Sequence, residues 1–425
     1  YGVNFMRKMK DSGVEWIGQI PKNWELRKIG SVYEERNTKV SDEDYAPLSV
    51  TKQGIVPQLE SAAKTDNGDN RKLIRKNDFV INSRSDRRGS CGISEYDGSC
   101  SLINTVLKPK ANMCNKYYSF VFRSELFADE FYRWGNGIVD DLWSTKWSSM
   151  KNIYIPFPTI DKQQKIADFL EEKCSKIDSL IEKQQKSIEK LTEYKLSVIT
   201  EAVTKGLNHD VELKDSGIRF IGYIPQNWNV SKLKYMSLEI GDGIHGTPEY
   251  DSEGEIYFVN GNNIGAETLV FKADTNTINE TEFKKYKKPL LNDNTILMTL
   301  NGATYGKTSF YSGEQILLGK SAGYITLKPN ENKEFVRYYL QSTVAKLIMD
   351  YSLCGSTIAN VSLRTLNDFT IPYPPKAEQL EIVRYLDKHT SRIDKSINCR
   401  QSIVERLIEY KKSLIYEVVT GKKEV

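Results

Sequence analysis

Three arginines, Arg84, Arg87 and Arg88, flank the glycine-bearing stretch Arg87-Arg-Gly-Ser-Cys-Gly92, and Arg71, Lys72, Arg75 and Lys76 come shortly before it. Further along, Lys284, Lys285, Lys287 and Lys288 cluster, and Asn301-Gly-Ala-Thr-Tyr-Gly306 leads into Lys307. Guanidinium groups can pair bidentately with guanine, and ammonium groups neutralise phosphate. Glycine lets a backbone approach a ligand closely. These residues are therefore candidate DNA contacts, with Gly89 and Gly92 giving the first loop its close approach.

Residues that could break or transfer bonds do not assemble into a site. Gly241-Asp-Gly-Ile-His-Gly246 has dinucleotide-loop spacing, but Thr247-Pro248 follows where a helix amino terminus would have to receive a pyrophosphate. Gly302-Ala-Thr-Tyr-Gly306-Lys307-Thr308 is one residue short of a P-loop and runs on into a strand-like stretch. Glu282-Phe-Lys284 has the carboxylate–lysine half of a nuclease site, yet it lies in a charged stretch and reads as a solvated face. No amino-methyltransferase tetrapeptide and no Ser/His/Asp or Cys/His arrangement is found. The 3 histidines are far apart and none of the 6 cysteines forms a C-x-x-C pair, which points to reduced thiols and no metal centre. The chain reads as non-catalytic.

Those residues sit in a chain of 425 residues, 39% hydrophobic and 27% charged, with a net charge of +4. The mean hydropathy of −0.51 and pI near 8.4 allow DNA binding without arguing for it. No apolar run is long enough to cross a membrane, and residues 1–10 lack the apolar core of a signal peptide. A cytoplasmic protein is the expectation, with Met6 or Met9 as a natural start.

The elements that must position the candidate contacts are repeated. Lys10-Asp-Ser-Gly-Val-Glu-Trp-Ile-Gly-Gln-Ile-Pro-Lys-Asn-Trp24 returns as Lys214-Asp-Ser-Gly-Ile-Arg-Phe-Ile-Gly-Tyr-Ile-Pro-Gln-Asn-Trp228. Ile155-Pro-Phe-Pro158 returns as Ile371-Pro-Tyr-Pro374, and the register then holds to Thr204 and Thr420, with roughly 21 of 50 positions identical. Between these matches, segments 30–154 and 234–370 diverge. The last match ends at Thr420-Gly421, the counterpart of the Thr204-Lys205-Gly206 stretch that leads into the second copy.

Past Pro158 and Pro375, apolar residues recur at steps of four and three or at their sum of seven: Leu170, Cys174, Ile177, Ile181, Ile188, Leu191, Val198 and Ala202, then Leu386, Ile393, Ile397, Val404, Leu407, Leu414 and Val418. That spacing predicts two coiled-coil helices of about 40 residues, each about 60 Å long. Matching polar interruptions, Gln184/Arg400 and Lys195/Lys411, would fix register. The fold expected is α+β: a pseudo-twofold tandem repeat of two mixed α/β heads joined by two long antiparallel helices. Boundaries fall at 1–157, 158–206, 207–373 and 374–425. In the heads, strands are expected at 46–50, 78–82, 102–107, 256–259, 295–300 and 323–327, and helices over 119–134 and 335–353.

The two copies of the Lys-Asp-Ser-Gly motif, the Ile-Pro-x-Pro lead into a glutamine-bearing helix start, and the helix ending Glu-Tyr-Lys-x-Ser-x-Ile-x-Glu-x-Val-Thr together resemble the specificity subunit of type I restriction–modification enzymes over the whole chain. The resemblance implies two target-recognition domains, each reading one half of a split, asymmetric site on double-stranded DNA. It implies helices that space the halves and dock two methyltransferase subunits, onto which restriction subunits assemble. It also implies that S-adenosylmethionine, ATP and magnesium belong to the partner subunits and that this chain holds no cofactor. It supplies no base-reading residues. Two other classes fit a two-headed rod: an adaptor with protein-binding heads, and a fused DNA methyltransferase or nuclease.

Overall fold

The computed structural model describes residues 8–58, 68–84, 87–110, 113–137, 143–286, 288–353 and 359–425. They fold as two compact units, residues 1–185 with 401–425, and residues 186–400. Each unit therefore holds one head together with part of both long helices.

In the first head a four-stranded antiparallel sheet runs Cys91–Ile93, Phe79–Asn82, Asn104–Pro109, Tyr33–Glu35. In the second the order is Thr308–Phe310, Thr295–Thr299, Ala322–Leu327, Ser237–Asp242, again antiparallel. Two segments that diverged in sequence thus each build a four-stranded antiparallel sheet of the same design. They differ in a smaller sheet. Gly98–Cys100, Arg71–Ile74 and Lys39–Val40 pair antiparallel, whereas Ile256–Val259 pairs antiparallel with Thr277–Ile278 and parallel with Ile316–Leu318.

Where one helix per head was expected, each head has two. Asn115–Arg123 is followed by Glu125–Arg133, and Lys333–Gln341 by Thr343–Ser352. The break is a serine in extended conformation in both heads. Ser124 accepts the Phe127 N–H and Ser342 the Ala345 N–H, so each serine caps a new helix in place of continuing the old one. The aromatic and aliphatic face of the paired helices covers the sheet, with Tyr118, Phe122 and Phe127 fully buried in the first head and Phe335, Tyr339 and Leu340 in the second.

The long helices span Ile160–Lys205 and Lys376–Val419. Gln163 and Gln379 explain their repeated starts: each side chain is buried and donates to a proline carbonyl just upstream, Pro158 at 2.8 Å and Pro374 at 2.9 Å. The helices pack antiparallel within each unit. In the first, Ile166, Leu170 and Ile177 share a core with Leu414 and Val418. In the second, Ile199, Ala202 and Val203 share one with Ile382 and Leu386. Of the seam positions, Leu170, Ile177, Leu386, Ile393, Val404 and Leu414 are buried; Ile181, Ile188, Leu191, Val198, Ile397 and Leu407 are half-buried. One of the two polar interruptions, Lys195/Lys411, is an ion pair that repeats. Lys195 meets Asp394 at 2.6 and 2.7 Å in the second unit, and Lys411 meets Asp178 at 2.6 and 2.7 Å in the first.

The repeated Lys-Asp-Ser-Gly motif is structural. Asp11 and Asp215 accept the N–H of Gly13 and Gly217, and Met9–Asp11 pairs with Gln19–Pro21 as Leu213–Asp215 does with Tyr223–Pro225. The motif's Trp24 and Trp228 are buried against the helix ends. Gly206 (φ +75°) seats on Trp228, and Gly421 (φ +74°) on Pro21 and Trp24, so the last helix closes onto the first copy's motif. A Cβ on Gly421 would lie 2.6 Å from Pro21 Cδ in a left-handed backbone. Gly421→Val is expected to destabilise the first unit by about 2–5 kcal/mol, from the disfavoured φ plus overpacking. Urea unfolding followed by tryptophan fluorescence checks this; an unchanged midpoint would show that the turn is not seated there.

No helix among the described residues is long and apolar enough to cross a membrane.

Candidate nucleic-acid interface

In the first head the arginine-bearing loop connects Phe79–Asn82 to Cys91–Ile93; in the second, 301–307 connects Thr295–Thr299 to Thr308–Phe310. The two loops are anchored alike. Ser83 accepts the Thr145 N–H at 2.9 Å and Leu300 the Val361 N–H at 2.8 Å, and the next residues form matching bridges, Arg84 with Ser144 and Asn301 with Asn360. Glycines with positive φ, Gly89, Gly302 and Gly306, make the turns. Gly92 has another role than ligand approach: it lies in the strand, and a Cβ there would meet the Cα of Gly54 at 3.0 Å. Neither this loop nor 241–246 opens a helix.

The candidate cations divide by environment. Arg84 and Arg87 are exposed on the first loop, and Lys307 on the second beside half-buried Asn301; Ser85 and Asp86 lie outside the described residues. Arg88 turns back into its own head, ion-paired with Asp129 and 5.4 Å from the Tyr132 ring. Arg71 is only 5% exposed and donates to the Ser99 hydroxyl at 2.8 Å, so it fastens the smaller sheet from inside. Arg75 is held by Asp97 at 2.9 Å, and the Lys76 N–H and Arg75 together hold the Asp97 carboxyl below its ordinary range. Lys284 pairs with Glu280 at 3.2 Å and Lys285 with Glu282 at 2.5 Å, while Lys287 lies outside the described residues. Glu282 is not a solvated surface acid. It is 4% exposed, and hydrogen bonds from Lys285, then Tyr286, keep its carboxyl low. That fixes it as the clasp of a local turn.

Lys72 is nearly buried and ion-pairs with Glu35 at 3.3 Å. It forms one wall of an open groove of about 550 Å³ that continues to Ser83, Lys146, Trp147 and Lys151. Sequence reasoning missed the last three. Their signal was lysine interleaved with an aromatic, Lys146-Trp147 and then Lys151, but nothing in the chain order links them to residue 83. The link is the Ser83–Thr145 hydrogen bond.

Among the described residues no group of histidine, cysteine or acidic side chains could hold a metal ion, and no disulfide forms. Burial pushes the Cys91 and Cys100 thiols up to about 12, away from nucleophilic use.

The family model for the type I restriction modification DNA specificity domain matches twice, over residues 21–190 and 225–403. The chain belongs to that family. It is a DNA specificity subunit of a type I restriction–modification system, and the subunit itself is non-catalytic. The specificity subunit is similar to the putative type I restriction enzyme MjaX specificity subunit of Methanocaldococcus jannaschii, 25% identical with 96% of each chain covered. The MjaIX specificity subunit of the same organism is 22% identical, with 85% of each covered. The present chain shares its fold with a chain from a structural study of complex assembly and conformational transition of the type I R-M system. The TM-score is 0.70 at 14% identity, with 95% of this chain and 99% of that one covered. The HsdS subunit from Thermoanaerobacter tengcongensis aligns with TM-score 0.50 at 15% identity, covering 97% and 100%.

Proposed function

We propose that each head reads one half of a bipartite, asymmetric site on double-stranded DNA through its anchored glycine loop. The carrying observation is the matched anchoring: Ser83 to Thr145 and Leu300 to Val361 hold loops of unrelated sequence at equivalent places on the two heads' central sheets. A constant mount with variable contents is what reading two different half-sites requires. Arg84 and Arg87 are the base-reading candidates of the first loop, Asn301 and Lys307 those of the second. Exposed Lys146 and Lys151 track phosphate beside the first, with Lys72 behind them in its ion pair with Glu35. Lys284, Lys285 and Arg88, tied up in local ion pairs, stand behind these.

The long helices space the half-sites and dock two methyltransferase subunits, with restriction subunits joining through the complex. Exposed Tyr194 and Tyr410, at matching positions of the repeat, support equivalent docking faces. S-adenosylmethionine, ATP and magnesium are used by those partners, in the cytoplasm where the DNA is. A head that bound protein in place of DNA would not explain arginines on a glycine loop.

Alanine at Arg84 and Arg87 together tests the reading. A base-reading arginine should cost about 1–3 kcal/mol and relax specificity at one position of one half-site. A phosphate contact would instead weaken binding on all sequences and flatten the salt slope by about one unit. The measurement is binding of the assembled methyltransferase to single-base target variants at several salt concentrations. Wild-type affinity, specificity and slope would show that the loop faces away from DNA.

A further inference from the structure

The second unit contains a half-open cavity of about 720 Å³ between its head and the long helices. Arg337, on the helix Lys333–Gln341, forms part of its wall and is 8% exposed. One guanidinium nitrogen donates to the Ala266 carbonyl, and the group lies 4.7 Å from the Phe310 ring. Among the described residues Nε has no hydrogen-bond partner, and no carboxylate ion-pairs with this arginine. Burial lowers its pKa, offset only in part by more distant groups of which Glu267 acts most. Arginine nonetheless stays charged in proteins, and a buried charge without a counter-charge is costly. The fold keeps one here, facing a space large enough for a small ligand.

The surroundings indicate what would neutralise it. Lys307 and Lys346 line the same cavity, and so does the amino end of the ten-residue helix Thr343–Ser352. The first N–H of that helix is already taken by Thr200 and that of Ala345 by Ser342, so side-chain cations rather than backbone donors would hold a ligand. Lys346 is shared with Asp350 at 3.2 Å, and Glu267 is an exposed acid on the rim; Lys307 is committed to no ion pair among the described residues. The rest of the wall is mostly apolar, including Ile199, Leu340 and Met349. The first head lacks this arrangement. Counting from the capping serines, Ser119 stands where the second head has Arg337, and buried Phe127 and Phe131 stand where it has Ala345 and Met349.

We propose that this cavity is an anion site of the second head, taking a phosphate group attached to an apolar body, with Arg337 as its buried counter-charge and Lys307 at its mouth. The phosphate could come from a free organic phosphate or from the DNA backbone. The site does not rest on the half-site reading.

The purified full chain is titrated with inorganic phosphate and with phenyl phosphate, by calorimetry and thermal shift. Phenyl phosphate is expected to bind more tightly than inorganic phosphate and to raise Tm. Arg337→Met should weaken it at least tenfold while raising the ligand-free Tm, because the unpaired charge is gone. Lys307→Glu, at an exposed position, supplies the same affinity loss should Arg337→Met fail to fold. A short mixed-sequence duplex at low salt separates the sources: displacement of phenyl phosphate assigns the site to backbone phosphate, and simultaneous binding assigns it to a free ligand. Phenyl phosphate affinities that match wild type in the variants would overturn the proposal, whatever Lys307→Glu does to duplex binding.

Discussion

Replacing residues 234–370 by the corresponding segment of a relative with another target is expected to change one half of the methylated sequence completely and leave the other half as it was. The exchanged segment carries the whole second sheet, its glycine loop and the capped helix pair behind it. Its ends fall on shared structure. Residue 233 lies just past the strand Asn229–Lys232, which pairs with Thr370–Tyr373 as Glu25–Lys28 pairs with Tyr154–Phe157, so a new head enters and leaves through a two-stranded ribbon that both copies share. Each mismatched base pair costs about 1–3 kcal/mol, so a half-site differing at about three positions loses about 3–9 kcal/mol and drops out of the methylated set. Sequencing the methylome of cells expressing the chimaera with its partner subunits gives the answer. A change in both halves, or in neither, would sink the modular reading.

Much of this architecture was legible because it is repeated. The 216-residue register that related Lys195 to Lys411 and Asp178 to Asp394 joined residues that the structure shows as two equivalent ion pairs. Three-four spacing marked helices that bury Leu170, Ile177, Leu386 and Leu414 on one face. The Gly421 turn was visible as the counterpart of Gly206, although its seat on Trp24, nearly 400 residues away in the chain, was not. The head helices were misread as single because Ser124 and Ser342 interrupt continuous apolar patterns without glycine or proline. A serine that caps and a serine that faces solvent look the same until the N–H three residues on is located.

The candidate site was less legible, since charge in a sequence does not say where a side chain ends. Arg71 and Arg84 carry the same group thirteen residues apart, yet one is sealed inside a sheet by Ser99 and the other is exposed at a loop. Strand alternation could not separate them, because Arg71–Ile74 is buried along its whole length. Arg88 and Lys285 are occupied by acids, Asp129 and Glu282, that lie on a separate helix in one case and three residues away in the other. Only the second of these was visible as a local pattern. Arg337 was invisible as a candidate: on an amphipathic helix that also carries Lys333 and Glu334 it reads as a surface charge, and its burial comes from Ala266 and Phe310 arriving from distant strands and loops.

Inserting one heptad between residues 178 and 195 of the first long helix alone is expected to abolish assembly or change the preferred spacer. The same number of residues separates Asp178 from Lys195 as separates Asp394 from Lys411, so both ion pairs form when the two helices run in step. Seven residues add about 10 Å to one helix and nothing to its partner. Because a heptad nearly preserves the apolar face, the insert would keep each core stripe pointing inward while sliding one ion pair out of reach. The loss is therefore one of spacing and not of helix formation. A matched heptad in both helices should restore pairing, but it moves the half-sites by about three base pairs, far from a whole turn of DNA. Three matched heptads add about 31 Å, close to one turn, and return both half-sites to one face of the duplex. Assembly is read by mass photometry with the methyltransferase subunits, and the spacer by methylome sequencing. An active complex with an unaltered spacer after the single-helix insertion would show that something other than the helices sets the distance. Recovery with three matched heptads but not with one would show that distance and helical phase are both read through them.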